Sequence, residues 1–183
     1  MYIFGYGSLI NAHSRRLTGQ TQAAIPATVK GLQRHWGKVD DSYHIAPLVA
    51  MPGEGECNGV LVRVDDAALA SFDIRERGYQ RIALDPLQLR TTQPIDTNQP
   101  IWVYTKESPM APCAVQPIMQ TYVDTVLAGC LAISEQFAQT FVDTTIGWHH
   151  PLENDRLQPK YGNHAGVEES HITHIDRLLA AIR

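Results

Sequence analysis

The rhythm of apolar and polar positions changes along the 183-residue chain, and the change divides it into a strand-rich first part and a helical second part. Tyr2 to Phe4 is a short apolar run that reads, over residues 2–6, as a buried strand. Leu9 to Leu17 suits a short helix or turn ending at Gly19. From Ala23 to Val39, Ile25, Thr28, Val29, Leu32 and Trp36 give alternating and β-branched character, which predicts a strand with a bend near Gly31. His44 to Met51 is a further apolar run closed by Pro52-Gly53, Glu54-Gly55-Glu56 reads as a turn, and Cys57 to Val64 alternates as a strand should. The period then shifts. Asp65-Asp66 suits a helix N-cap, with Ala67, Leu69, Ala70 and Phe72 at helical spacing behind it and a stop expected by Gly78. Tyr79 to Leu89 predicts a strand broken at Pro86, and Gln99 to Thr105 a last strand before a loop marked by Pro109 and Pro112.

After Pro112 the pattern is helical. Ile118, Met119, Tyr122, Val123, Val126 and Leu127 form an apolar face up to Gly129, a second helix is expected from Ser134 to about Asp143, and Ser170 to Ile182 closes with a third. Between them, 147–166 is rich in Pro, Gly, His and Asn and reads as an ordered loop. Strands first and helices later predict an α+β class: a small, mostly antiparallel, β-barrel-like sheet flanked by helices, in one domain spanning 1–183.

Composition narrows the function classes. Hydrophobic residues make up 44% and charged residues 19%, values of an ordinary globular chain. A net charge of −4, with Lys and Arg scattered, gives no general attraction to nucleic acid. No apolar stretch approaches the roughly 20 residues that span a bilayer, and no basic region followed by a long apolar segment opens the chain, so neither a membrane partner nor a signal peptide is expected. Cys57, Cys113 and Cys130 lack CxxC spacing and read as free thiols of a cytoplasmic protein.

Two stretches carry candidate chemistry. Gly5-Tyr6-Gly7-Ser8-Leu9 has neither dinucleotide nor Walker spacing, and Ser8 lacks the second glycine of a nucleophile elbow. What remains is a strand-end loop whose N–H groups can point outward together and hold a carboxylate or oxyanion, or else a tight turn with no ligand. The second is Phe72-Asp73-Ile74-Arg75-Glu76-Arg77-Gly78-Tyr79, where Glu76 stands between two arginines at a helix-to-strand junction. Burial would raise its pKa and an adjacent arginine would lower it. His149, His150, His164, His171 and His174 crowd the tail; His171 and His174 beside Glu168 could hold a metal, and one of the histidines could activate Ser8 as a nucleophile.

YGSL closing the first strand, together with the D-x-R-E-x-G-Y run around Glu76, resembles the gamma-glutamylcyclotransferase-like superfamily, which includes gamma-glutamylcyclotransferases, gamma-glutamylamine cyclotransferases and the glutathione-specific ChaC enzymes. Gln120-Thr121-Tyr122-Val123-Asp124 with Gly129-Cys130-Leu131 resembles a helix of bacterial members. Thr145-Ile146-Gly147-Trp148, Asp155-Arg156 and Pro159-Lys160-Tyr161 resemble their C-terminal segment. The resemblance implies a cofactor-free and metal-free enzyme of γ-glutamyl compounds, in which the substrate's α-amine attacks its own γ-carbonyl to give 5-oxoproline and release an amine or amino acid. It implies Glu76 as the proton-shuttling residue, Tyr6, Gly7, Ser8 and Leu9 as the holder of the α-carboxylate, and Tyr122 as a substrate-binding hydroxyl. On this view the glycines let the backbone approach an anion. Asp155 and Arg156 are expected to pair with each other. Leu9-Ile10-Asn11 lacks the tryptophan usual after this loop in ChaC enzymes, so the resemblance names no leaving group. The competing expectation is a non-catalytic member that binds a small anionic metabolite; Glu76 facing bulk solvent would favour it.

Overall fold

A computed structural model describes residues 1–20, 22–40 and 44–182. Nine strands and five α-helices follow one another: β1 (Tyr2–Gly5), α1 (Ala12–Leu17), β2 (Ala24–Trp36), β3 (Leu48–Arg63), α2 (Asp66–Arg75), β4 (Gln80–Ala83), β5 (Leu89–Thr91), β6 (Ile101–Thr105), β7 (Ile118–Met119), α3 (Gln120–Ile133), α4 (Glu135–Thr144), β8 (Thr145–Ile146), β9 (Leu152–Glu153) and α5 (Glu169–Ala180). The class is α+β, as the order of periodicities predicts. A seven-stranded sheet runs β4-β6-β1-β3-β2-β5, with β8 also on β2, and is mostly antiparallel; β7 and β9 form a separate parallel pair.

The sheet does not close into a barrel. Its path ends at β4 on one side and β5 on the other, and these two edge strands do not pair with each other. The bend expected near Gly31 is a register shift between Lys30 and Leu32. Glu54-Gly55-Glu56 is no turn: β3 runs through it from Leu48 to Arg63, held to the long antiparallel partner β2 on both sides of that register shift, with Lys30 opposite Glu56 and Leu32 opposite Pro52.

Local caps set the helices. Asp65 accepts from the Ala68 amide at 2.8 Å and starts α2; Ser134 accepts from the Phe137 amide at 3.0 Å and starts α4. The chain buries every residue of α3 from Gln120 to Cys130, so this helix has no solvent face and packs as a core element. It runs past Gly129, where a stop was expected. A Cβ there would lie 2.6 Å from the Asn11 backbone, so the glycine marks a close crossing of chain segments and not a helix end.

Candidate functional site

Strand pairing explains why distant stretches meet. β6 lies parallel to β1, with Tyr2 opposite Ile101, so both strands finish at the same edge of the sheet. β4 runs antiparallel to β6, with Gln80 opposite Thr105, so the α2–β4 junction comes back to that edge. Glu76 caps the C-terminus of α2 at this junction, its amide donating to the Phe72 carbonyl. The loop leaving β1 crosses the same edge. Glu76 and Tyr6, Gly7, Ser8 and Leu9 therefore line one cavity of about 250 Å³.

Past Gly7 the chain turns into a single 3-10 turn over Ser8–Ile10, closed by Ile10 N–H to the Gly7 carbonyl at 2.9 Å and Asn11 N–H to the Ser8 carbonyl at 3.1 Å. The first amides of such a turn have no carbonyl inside it to bond to. Both glycines are needed for packing. A Cβ on Gly5 would sit 2.6 Å from Leu9 Cβ, and one on Gly7 would sit 2.9 Å from the Tyr122 hydroxyl. Each glycine thus also leaves the space that a neighbouring side chain fills.

Among the described residues lining the cavity, Glu76 is the one carboxylate and Arg75 the one cation. Arg75 Nε and Nη2 both lie 2.9 Å from Glu76 Oε1, and its guanidinium packs 4.4 Å from the Phe72 ring centre. Glu76 Oε2 has no hydrogen-bond donor among the described residues. The Glu76 side chain is 24% exposed, so the carboxyl is neither sealed in the core nor free in bulk water.

Tyrosines furnish most of the remaining polar surface. Tyr6 donates to the Tyr104 carbonyl at 2.7 Å, Tyr104 to Asp73 Oδ1 at 2.7 Å, and Tyr79 to the Leu48 carbonyl at 3.2 Å. Burial, then the nearby Glu76 charge, pushes the Tyr6 phenol well above its ordinary value. Burial, then Tyr161, raises Tyr122, against the opposing pull of the Leu48 and Ser8 backbone. Tyr104 is raised by burial and by Asp73. Tyr6, Tyr104 and Tyr122 therefore stay protonated at neutral pH; Tyr6 and Tyr104 already give their proton to protein acceptors, whereas Tyr122 donates to none among the described residues.

Several site residues carry no clear signal in the sequence. Tyr161 and Asn163 complete the cavity from the tail, the Tyr161 ring centred 4.7 Å from that of Tyr122. Arg34 is fully buried under the loop. It donates to the Asn58 carbonyl at 2.6 Å, to Asn58 Oδ1 at 2.9 Å, to the Phe141 carbonyl at 3.0 Å, to Thr145 Oγ1 at 2.7 Å and to the Tyr6 carbonyl at 3.4 Å, and stacks 3.5 Å from the Phe141 ring centre. Burial lowers its pKa. The alternation Leu32, Arg34, Trp36 places it on the inward side of β2, which is the signal that could have found it.

The expected pair Asp155–Arg156 does not form. Asp155 turns inward and accepts from the Thr121 amide at 2.8 Å, Thr121 Oγ1 at 2.6 Å and the Lys160 amide at 2.8 Å. Arg156 reaches Asp124 at 2.7 and 2.8 Å and Asp176 at 2.7 Å instead. The tail histidines also part. His164 Nδ1 sits 3.1 Å from Thr125 Oγ1, His171 Nδ1 accepts from the Glu168 amide at 3.1 Å, and His174 lies 3.9 Å from Glu135. No group of three or more His, Cys, Asp or Glu among the described residues is placed to hold a metal ion. No histidine lines the cavity beside Ser8. No described helix is long and apolar enough to cross a membrane.

A family model described as "Gamma-glutamyl cyclotransferase, AIG2-like" matches residues 3–121, more than half of the chain. No curated protein matches the sequence. Among solved structures, an uncharacterized protein from Homo sapiens superposes with a TM-score of 0.62 at 15% identity, over 96% of this chain and 97% of that one. A gamma-glutamyl cyclotransferase superposes with a TM-score of 0.57 at 14% identity, over 96% and 98%. YkqA from Bacillus subtilis gives 0.58 at 18% identity, over 76% of this chain and 52% of its own. At these identities the likeness is one of fold.

Proposed function

We propose that this chain, which belongs to the gamma-glutamyl cyclotransferase, AIG2-like family, closes a γ-glutamyl group into 5-oxoproline and releases the amine or amino acid bound to it. The observation that carries this reading is the meeting of one carboxylate, Glu76, with the amides of the loop after β1 in one cavity of about 250 Å³. Ser8 and Leu9 amides are suited to the substrate's α-carboxylate, since oriented N–H groups stabilise an anion without a counter-cation. The α-ammonium, one carbon away, then falls to Glu76.

Glu76 takes a proton from the ammonium, and the freed amine attacks the γ-carbonyl carbon to form the ring C–N bond. The neutral Tyr122 hydroxyl, whose proton goes to no acceptor among the described residues, supplies a donor for the oxygen on which charge develops. Collapse breaks the bond to the leaving nitrogen. The attacking nitrogen gives up two protons in all and the leaving nitrogen gains two, so the same carboxyl carries both across. Because the attack is intramolecular, folding the glutamyl chain into a ring-like shape supplies much of the rate; effective molarities of about 10⁵ M or more are reached in well-held geometries. Arg75 restricts the rotation of Glu76 through two contacts of 2.9 Å to Oε1.

The test is a panel of γ-glutamyl amino acids, γ-glutamyl amines and glutathione with detection of 5-oxoproline. The wild type should release it from at least one class, and the Glu76→Gln protein from none while keeping its fold. Full turnover by Glu76→Gln refutes the role. Saturable binding of these compounds by the wild type without turnover favours the non-catalytic alternative.

A further inference from the structure

The cavity has two sides of different origin. Glu76 and the Tyr6–Leu9 loop fall within the matched segment 3–121, and on the reading above they meet the glutamyl half of the substrate. Tyr161 and Asn163 come from the tail, beyond that segment. The tail is held as a fixed wall and not as a loose flap. Asp155 is bonded onto the first turn of α3, Arg156 bridges Asp124 and Asp176, and at the far side Asn11 Nδ2 donates to the Ala165 carbonyl at 3.0 Å. His164, next to Asn163, is seated between Thr125 Oγ1 at 3.1 Å and the Thr121 carbonyl at 3.2 Å. Asn163 is the only side-chain amide lining the cavity, is half-buried, and makes no hydrogen bond among the described residues. A polar group pinned at a cavity wall with its hydrogen-bonding capacity unused is suited to a ligand atom.

We infer that Asn163 reads the leaving group, and that the leaving group carries an acceptor oxygen near the released nitrogen, which Asn163 Nδ2 binds. The inference rests on the cyclisation reading for the glutamyl half. On that reading the α-carboxylate and the α-ammonium already have partners in the loop and Glu76, so the tail wall faces what remains, the group beyond the scissile bond. Tyr161 gives this wall an aromatic surface and Asn163 its donor. A leaving α-amino acid offers a carboxylate oxygen three bonds from the leaving nitrogen; a simple alkylamine offers none.

The test compares γ-glutamylalanine with γ-glutamylethylamide, which differ only in that carboxylate. In the full chain, Asn163→Ala should lower kcat/KM for γ-glutamylalanine by about ten- to a hundredfold, the worth of a hydrogen bond to a charged group, and leave γ-glutamylethylamide unchanged. Asn163→Asp should lose more on the first compound through charge repulsion and nothing on the second. An equal fall with both compounds, or none with γ-glutamylalanine, overturns the inference. If the wild type cyclises neither, calorimetric Kd values for the same two compounds decide the inference: the same asymmetry on Asn163→Ala upholds it, and equal or absent binding overturns it; the functional reading falls separately, when the whole panel gives no 5-oxoproline.

Discussion

The two sides of the cavity are built by different physics. The strand-end side, 2–9 with Glu76, is shaped by backbone: a parallel β1–β6 pairing, a 3-10 turn, and two glycines whose missing Cβ atoms leave room for Leu9 and Tyr122. The tail side is shaped by side-chain charge: Asp155 on the amide of Thr121, and Arg156 between Asp124 and Asp176. A backbone-built surface should suffer from added atoms, and a charge-built surface from lost partners. That contrast orders the expected effects.

The largest belongs to chemistry. Glu76→Gln should reduce 5-oxoproline release by about 10²–10⁴-fold, the usual worth of a positioned proton carrier, with an unchanged thermal midpoint. Next comes the tail. Arg156→Met leaves the fully buried Asp124 with only the Gln120 amide at 2.7 Å, and should cost about 3 kcal/mol of unfolding free energy, the low end for breaking a buried pair, since Arg156 is itself 22% exposed. Denaturant unfolding measures it, and a change below the error of the fit would show that the tail is not held by charge. Gly7→Ala should raise KM about tenfold by pressing on the Tyr122 hydroxyl, and the penalty should shrink in the Tyr122→Phe background, which removes the atom met at 2.9 Å. Additive effects would break the packing explanation.

The smallest effect is read through pH. Burial pushes the Asp155 carboxyl up, but the hydrogen bonds from Thr121 and Lys160 outweigh it and hold the group below its ordinary value of 3.8. The folded state therefore favours the ionised form. Its stabilisation is whole above the usual carboxylate range and is lost as the pH falls through and below it. Asp155→Asn should flatten that acid limb of the stability curve; an unaltered limb would remove Asp155 from the account.

Legibility in the sequence follows the same division. Period-2 and period-3.6 patterns located β2, α2, α4 and α5 because each buries one face against neighbours, a continuous apolar run located the fully buried β1, and Asp65 and Ser134 announced helix starts by chemistry that acts within three residues. The loop 5–9 and Glu76 were legible for the same reason: both sit at strand or helix ends that local pattern can find. Glu54-Gly55-Glu56 misled because a strand's partner can override one glycine and two glutamate signals, and the partner is not adjacent in the sequence. Adjacent Asp155 and Arg156 invited pairing, yet one carboxylate can cap α3 only by turning away from its neighbour. Asn163 and Tyr161 were out of reach because their place at the cavity depends on anchors more than thirty residues back along the chain.

The parallel β1–β6 pairing has a bearing on how the molecule assembles. β2 and β3 can zip as neighbours soon after collapse and β1 can add to β3, but the β1–β6 contact joins residues about a hundred positions apart, and loop closure over such distances is slow. The tail wall must then dock on α3. During refolding, sheet signals should recover before the cavity exists, so binding competence is the last property the polypeptide gains and the first that a partly unzipped population would lose.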